Sequence, residues 1–110
     1  MTYGQRNLYR ISLAAALALA SVASANADVI HVKVSGFAFV PAQISARVGD
    51  TIEWVNGDFF SHTATARDGT WDVPLPAGRA GALTVKKAGP IDYYCRYHPN
   101  MIGRIDVMKR

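Results

Sequence analysis

The stretch Tyr93-Tyr94-Cys95-Arg96-Tyr97-His98-Pro99-Asn100-Met101 carries the densest chemistry in the chain. It sets a thiol, an imidazole and a thioether within seven residues, at the end of an aromatic, strand-like segment. If the turn there is tight, the three side chains can converge on one point. They are soft or borderline donors, so the chemistry they suit is that of a bound metal. A fourth donor has to come from elsewhere. Of the other two histidines, His62 follows a turn expected at the same end of the molecule, whereas His31 falls on the solvent side of the first predicted strand. Two imidazoles and one thiolate with a weak axial thioether form the donor set of a blue-copper electron-transfer site. Thiolate and thioether favour Cu(I), imidazole suits both oxidation states, and the combination keeps both accessible.

Each of these residues also has an ordinary reading. A single Cys is most often a small buried apolar residue, and a single Met is core filler. His98 alone reads as a surface residue and His62 alone as a turn residue. Their combination on a β scaffold is what favours copper. His31 keeps its ordinary reading as a solvent-facing strand residue.

The elements that must position these groups are short strands separated by turn residues. Val29–Val34 alternates apolar and polar, Gln43–Val48 stops at Gly49-Asp50, and Thr51–Val55 closes at Asn56-Gly57-Asp58. Ser61–Ala66, Ala80–Lys86, Ile91–Cys95 and Gly103–Val107 complete the series. Asp68–Gly78, which holds Pro74 and Pro76, reads as a loop. No apolar pattern of helical period runs beyond a turn or two. Seven to eight short strands at this spacing predict an all-β fold, an antiparallel β-sandwich. Trp54 and Tyr93 are assigned to its core and Tyr94 to the outer face of its strand. Trp71 is left between shielding the core and shielding the site.

The chain has 110 residues, 12 Lys+Arg against 8 Asp+Glu, three His and one Cys. One Cys excludes an internal disulfide and a four-cysteine zinc or iron–sulfur site. Residues 1–10 hold Arg6 and Arg10 and no acid. A run without charge follows from Ile11 to Val22, and then Ala25-Asn26-Ala27. A basic start, a short apolar middle and small residues at the −3 and −1 positions predict a secretory signal peptide over residues 1–27, cleaved after Ala27. The run is too short for a spanning helix, which needs roughly 20 apolar residues, so no stable membrane insertion is expected. Residues 28–110 then form one exported, periplasmic domain. Both arginines of the leader leave with it, which halves the net charge of +4 and removes any appearance of a nucleic-acid footprint. A domain this small buries only about 60–65% of its unfolded surface, so a bound metal is a natural source of added stability.

With these residues assembled, the region after Ala27 resembles the cupredoxins, the plastocyanin/azurin family of small blue-copper proteins. Phe39-x-Pro41-x-x-Ile44, Gly49-Asp50-Thr51-Ile52-x-Trp54-x-Asn56 and Ser61-His62-Thr63 look like the first half of that family. Gly89-x-x-x-Tyr93-Tyr94-Cys95-x-x-His98-Pro99-x-Met101-x-Gly103 looks like its ligand loop, with the short Cys-x-x-His-x-x-Met spacing of the amicyanins. The resemblance implies a Greek-key sandwich and a single type 1 copper ion held by His62, Cys95, His98 and Met101. It also implies a one-electron carrier rather than an enzyme. Its redox donor and acceptor (a dehydrogenase, cytochrome or oxidase) would dock on a monomer near His98, beside Phe59, Phe60 and Met101. Copper storage, delivery or resistance is the alternative use of the same donors. Two departures stand out. Ser61 and Tyr97 occupy positions where amicyanins are expected to carry Pro, and Thr63 stands where many cupredoxins have an Asn that locks the two ligand loops together.

Overall fold

The computed structural model describes residues 26–110, so the predicted leader lies, except for its last two residues, outside the described residues. Among them are nine strands and no helix long and apolar enough to cross a membrane. The strands are β1 (Val29–Ser35), β2 (Ala38–Val40), β3 (Gln43–Arg47), β4 (Thr51–Asn56), β5 (His62–Ala66), β6 (Asp72–Leu75), β7 (Ala80–Thr84), β8 (Gly89–Tyr94) and β9 (Ile102–Met108). They form two sheets, in the orders β2-β1-β4-β7 and β3-β9-β8-β5-β6. The chain passes repeatedly from one sheet to the other, giving the expected Greek-key sandwich.

Two expectations need correction. The pairing is mixed rather than purely antiparallel: β1 runs parallel to β4, with Val32 opposite Trp54, and β3 runs parallel to β9, with Ile44 opposite Ile105. Such pairings join segments distant in sequence and leave no mark in local alternation. The predicted loop Asp68–Gly78 contains a strand, β6, which pairs antiparallel with β5 and sets Pro74 opposite Thr63. Pro74 is tolerated because β6 is the outermost strand of its sheet, where a missing N–H breaks no ladder on the open side. The three-residue β2 pairs with β1 across a turn and was too short to stand out.

The core lies between the sheets, where the alternating side chains Val32 and Val34 of β1, Ile52 and Trp54 of β4, and Ile105 and Val107 of β9 are buried. Tyr93 sits at its centre. Its ring meets Phe39 at 4.7 Å and Trp54 at 5.5 Å, both edge-on, and Trp54 Nε1–H donates to its hydroxyl at 3.1 Å. Burial pushes the Tyr93 phenol up to about 12, so it stays neutral. Trp71 packs tilted against both Trp54 and Tyr93, at 5.8 and 5.9 Å, which places it with the core. Gly103 lies opposite Tyr93 in the β8–β9 ladder, and a Cβ there would clash with the tyrosine ring at its Cζ.

Candidate metal centre

Alternation along β8 puts Tyr93 and Cys95 on the inner face and Tyr94 on the other. Tyr94 is covered there by the Arg67 guanidinium, 4.6 Å from its ring centroid, as an ordinary cross-strand aromatic would be. Beyond β8 the chain makes one short loop before β9. The loop is pinched shut by two backbone hydrogen bonds: Cys95 N–H to the Met101 carbonyl at 3.0 Å, and Met101 N–H to the His98 carbonyl at 2.8 Å. That closure keeps Cys95, His98 and Met101 together at one end of the sandwich, with Cys95 and Met101 buried and His98 half-buried.

His62 arrives from the other direction, as the first residue of β5. The β5–β8 register pairs Thr65 with Tyr94 and Ala66 with Tyr93, so the start of β5 lies beside Cys95. The Cys95 Sγ is 3.8 Å from His62 Nδ1 and 3.7 Å from His98 Nδ1, and the two Nδ1 atoms are 3.2 Å apart. Of the predicted site residues, the structure therefore brings three donor atoms to one point, with Met101 buried in the loop that carries two of them. His31 is remote from this cluster: it is exposed and 2.9 Å from Glu53.

The donor set fits a metal ion. The circle through the three atoms has a radius of about 2.1 Å, the length of a bond from a first-row metal to imidazole nitrogen. Without an ion, two ring nitrogens facing each other at that distance would repel unless a proton lay between them. The Asp58 carboxylate can only accept, and its Oδ2 lies 2.9 Å from His62 Nε2, so a neutral His62 carries its proton on Nε2 and offers the Nδ1 lone pair. Thr63 N–H points at the thiol sulfur, 3.3 Å away.

Two residues that the sequence did not single out complete the surroundings. Phe37, in the β1–β2 turn, lies edge-on to both imidazoles, 5.3 Å from His62 and 4.9 Å from His98. Its φ of 59° is in the left-handed region, which non-glycine residues seldom adopt. Asp58 anchors that turn by accepting from the amides of Gly36 at 2.8 Å and Phe37 at 3.0 Å. Those amides, Phe37 first, together with the His62 imidazole, hold the Asp58 carboxyl below the usual carboxylate range. Phe60 lies tilted against Phe37 at 5.3 Å, and Tyr97, next to His98 in the chain, is exposed, so aromatic rings gather where His98 approaches the surface.

Comparison with known proteins agrees with this geometry. The chain is 28% identical over 93 residues to amicyanin of Paracoccus versutus, covering 79% of this chain and 70% of that one. It is 29% identical over 84 residues to amicyanin of Paracoccus denitrificans, covering 71% of this chain but less than two thirds, 64%, of that one. A reduced-state amicyanin variant of known structure superimposes with a TM-score of 0.63 at 28% identity, over 80% of this chain and 87% of that one. A purple cupredoxin from Nitrosopumilus maritimus shares the fold, with a TM-score of 0.64 at 22% identity over 71% of this chain and 98% of that one. The family model of the cupredoxin-like domain matches residues 9–107. The chain belongs to the cupredoxin-like domain family, whose type 1 copper matches the thiol and paired imidazoles gathered here.

Proposed function

We propose that this protein is a periplasmic type 1 copper protein that carries single electrons between redox partners, with His62, Cys95, His98 and Met101 as its ligands. The observation that carries the reading is the convergence of one sulfur and two Nδ1 atoms on a circle of metal-bond radius. Copper held there would supply a one-electron couple between Cu(I) and Cu(II), to which this mixture of soft and borderline donors is suited. The chain supplies the rest. β5 and the pinched β8–β9 loop hold the donors on a rigid β frame, so they need move little between oxidation states. Four protein ligands leave no open position for a substrate, as a catalytic metal would require, so a carrier rather than an enzyme is inferred.

The aromatic patch of Phe37, Phe60 and Tyr97 beside His98 supports docking of a redox protein there, since brief redox encounters use small interfaces. Export rests on the leader read in residues 1–27. The storage or delivery alternative draws little support from the described residues. Met101 is buried, and Met108, at the far end of β9, offers no neighbouring soft donor for hand-over.

The test is the visible spectrum of the apo-protein on addition of Cu(II), recorded beside Cys95→Ser. An intense blue charge-transfer band, bleached by reductant and absent from the variant, is expected. A colourless wild type that binds only Cu(I) would instead favour storage or delivery.

A further inference from the structure

We propose that Asp58 is a positioning residue for His62 whose fixed negative charge favours Cu(II) over Cu(I) and so lowers the reduction potential of the site. The inference rests on the copper reading above and adds to it a determinant outside the four ligands. His62 is almost wholly buried, at 1% exposure, and its Nε2–H has a carboxylate oxygen at 2.9 Å rather than water.

The carboxylate is held from several directions. Oδ1 accepts the Gly36 amide, and Oδ2 accepts the Phe37 amide together with the His62 imidazole. The Asp58 backbone amide donates to Asn56 Oδ1 at 2.9 Å, and buried Asn56 is itself fixed by donating to the Phe60 and Leu75 carbonyls. Rotation away from the imidazole would break several of these bonds at once, so the charge stays behind the ring in both oxidation states.

Two effects then act in one direction. A carboxylate on the far ring N–H raises the basicity of the ligating nitrogen and fixes its tautomer. A nearby negative charge also interacts more strongly with the ion of higher charge, and in a partly buried site salt screens that attraction little. The Thr63 N–H directed at the Cys95 sulfur opposes this by drawing off thiolate charge, so the potential reflects a balance between one strand residue and one turn residue.

Replacement of the outer partner of a ligating histidine typically costs 10–100-fold in metal affinity. In Asp58→Asn the charge is lost while size and one acceptor oxygen remain. The protein as purified, loaded with copper at neutral pH, should stay blue with a Cu(II) affinity reduced about 10-fold or more and a Cu(I) affinity reduced much less. For a one-electron couple each tenfold difference between the two losses raises the potential by about 59 mV. Equal losses in both oxidation states, or an unchanged potential in a blue variant, would overturn the proposal. A wild type that never turns blue would instead remove the copper reading itself, so the two failures are distinct. Should Asp58→Asn fail to fold, ¹H–¹⁵N spectra of the wild-type apo-protein decide. A His62 proton on Nε2, shifted downfield by the carboxylate, is expected, and an Nε2 that carries no proton would refute the arrangement.

Discussion

The Thr63 hydroxyl accepts a hydrogen bond from the Arg96 amide at 2.9 Å, tying the strand that carries one site imidazole to the loop that carries the thiol and the other. The bond belongs to a closed ring. Thr65 Oγ1 donates to Asp72 Oδ1 at 2.5 Å, so Thr63 Oγ1, 2.9 Å from Thr65 Oγ1, must be the donor in that pair and keeps a lone pair for Arg96. Asp72 in turn accepts from Arg96 Nε at 2.9 Å and Nη2 at 3.1 Å. The ring begins and ends on Arg96. It performs with two threonines and an ion pair the tie that an asparagine makes in many cupredoxins.

Thr63→Val should leave the Arg96 amide and the Thr65 hydroxyl short of a partner beside a buried site. A loss of about 1–3 kcal/mol is expected. In a domain of this size each kcal/mol lowers Tm by about 4–8 °C. Thr63→Ser should recover most of it. Thermal melting of the apo forms measures both, and a valine variant melting with the wild type would show that the tie contributes nothing.

Phe37 combines an unfavourable backbone with a ring over both imidazoles, so Phe37→Asn should separate the two roles. Asn tolerates the left-handed conformation, which costs other residues about 1–2 kcal/mol, and that relief offsets the lost ring packing. The apo-protein should therefore melt within a few degrees of the wild type. Copper should be extracted faster by a competing chelator, because the ring no longer covers His98. Stopped-flow loss of the blue band gives the rate; an unchanged rate would mean that the ring does not limit access.

Gly103→Ala is expected to destabilise by about 1–3 kcal/mol or more, the usual range for overpacking. The added Cβ meets the ring of Tyr93, which cannot retreat because Phe39, Trp54 and Trp71 surround it. Gly57→Ala is the control. Its Cβ would stand an ordinary 3.6 Å from the Val34 carbonyl, and a change within about 0.5 kcal/mol is expected. Denaturant midpoints of the two variants should differ in this order.

Acid should weaken the fold through Asp50 and Asp72. The amides of Asp28 and Arg47 hold the Asp50 carboxyl below its usual range, and the Arg96 guanidinium followed by the Thr65 hydroxyl does the same for Asp72. A carboxylate depressed in the folded state contributes stability that is complete above its unfolded pKa and is lost as pH falls through the folded value. The Tm of the apo-protein should thus be level from pH 7 to about 5 and decline below about pH 4. Asp50→Asn should lower the plateau and flatten the decline. A variant with the wild-type slope would assign the acid sensitivity elsewhere.

Much of the candidate site was legible because two of its three converging donors, Cys95 and His98, lie three residues apart, with the proposed ligand Met101 three further on. Cys95, His98 and Met101 fall within one short turn, so residue type and spacing alone suggest a metal and favour copper. The strand pattern was legible for a similar reason: alternation in β1, β4 and β9 records which side chains face the core. Where alternation was masked by proline, as in β6, or ran for only three residues, as in β2, the elements were missed.

Donor chemistry and the all-β character were thus determined by the sequence itself, since both depend on residue type and on neighbours a few positions away. The tertiary structure decided which distant residues meet the donors. The β5–β8 register brings His62 to a thiol 33 residues away, and one turn held by Asp58 lays Phe37 over both imidazoles. Those distances follow from strand pairing and turn docking, which many separated residues set together. No local pattern along the chain encodes them.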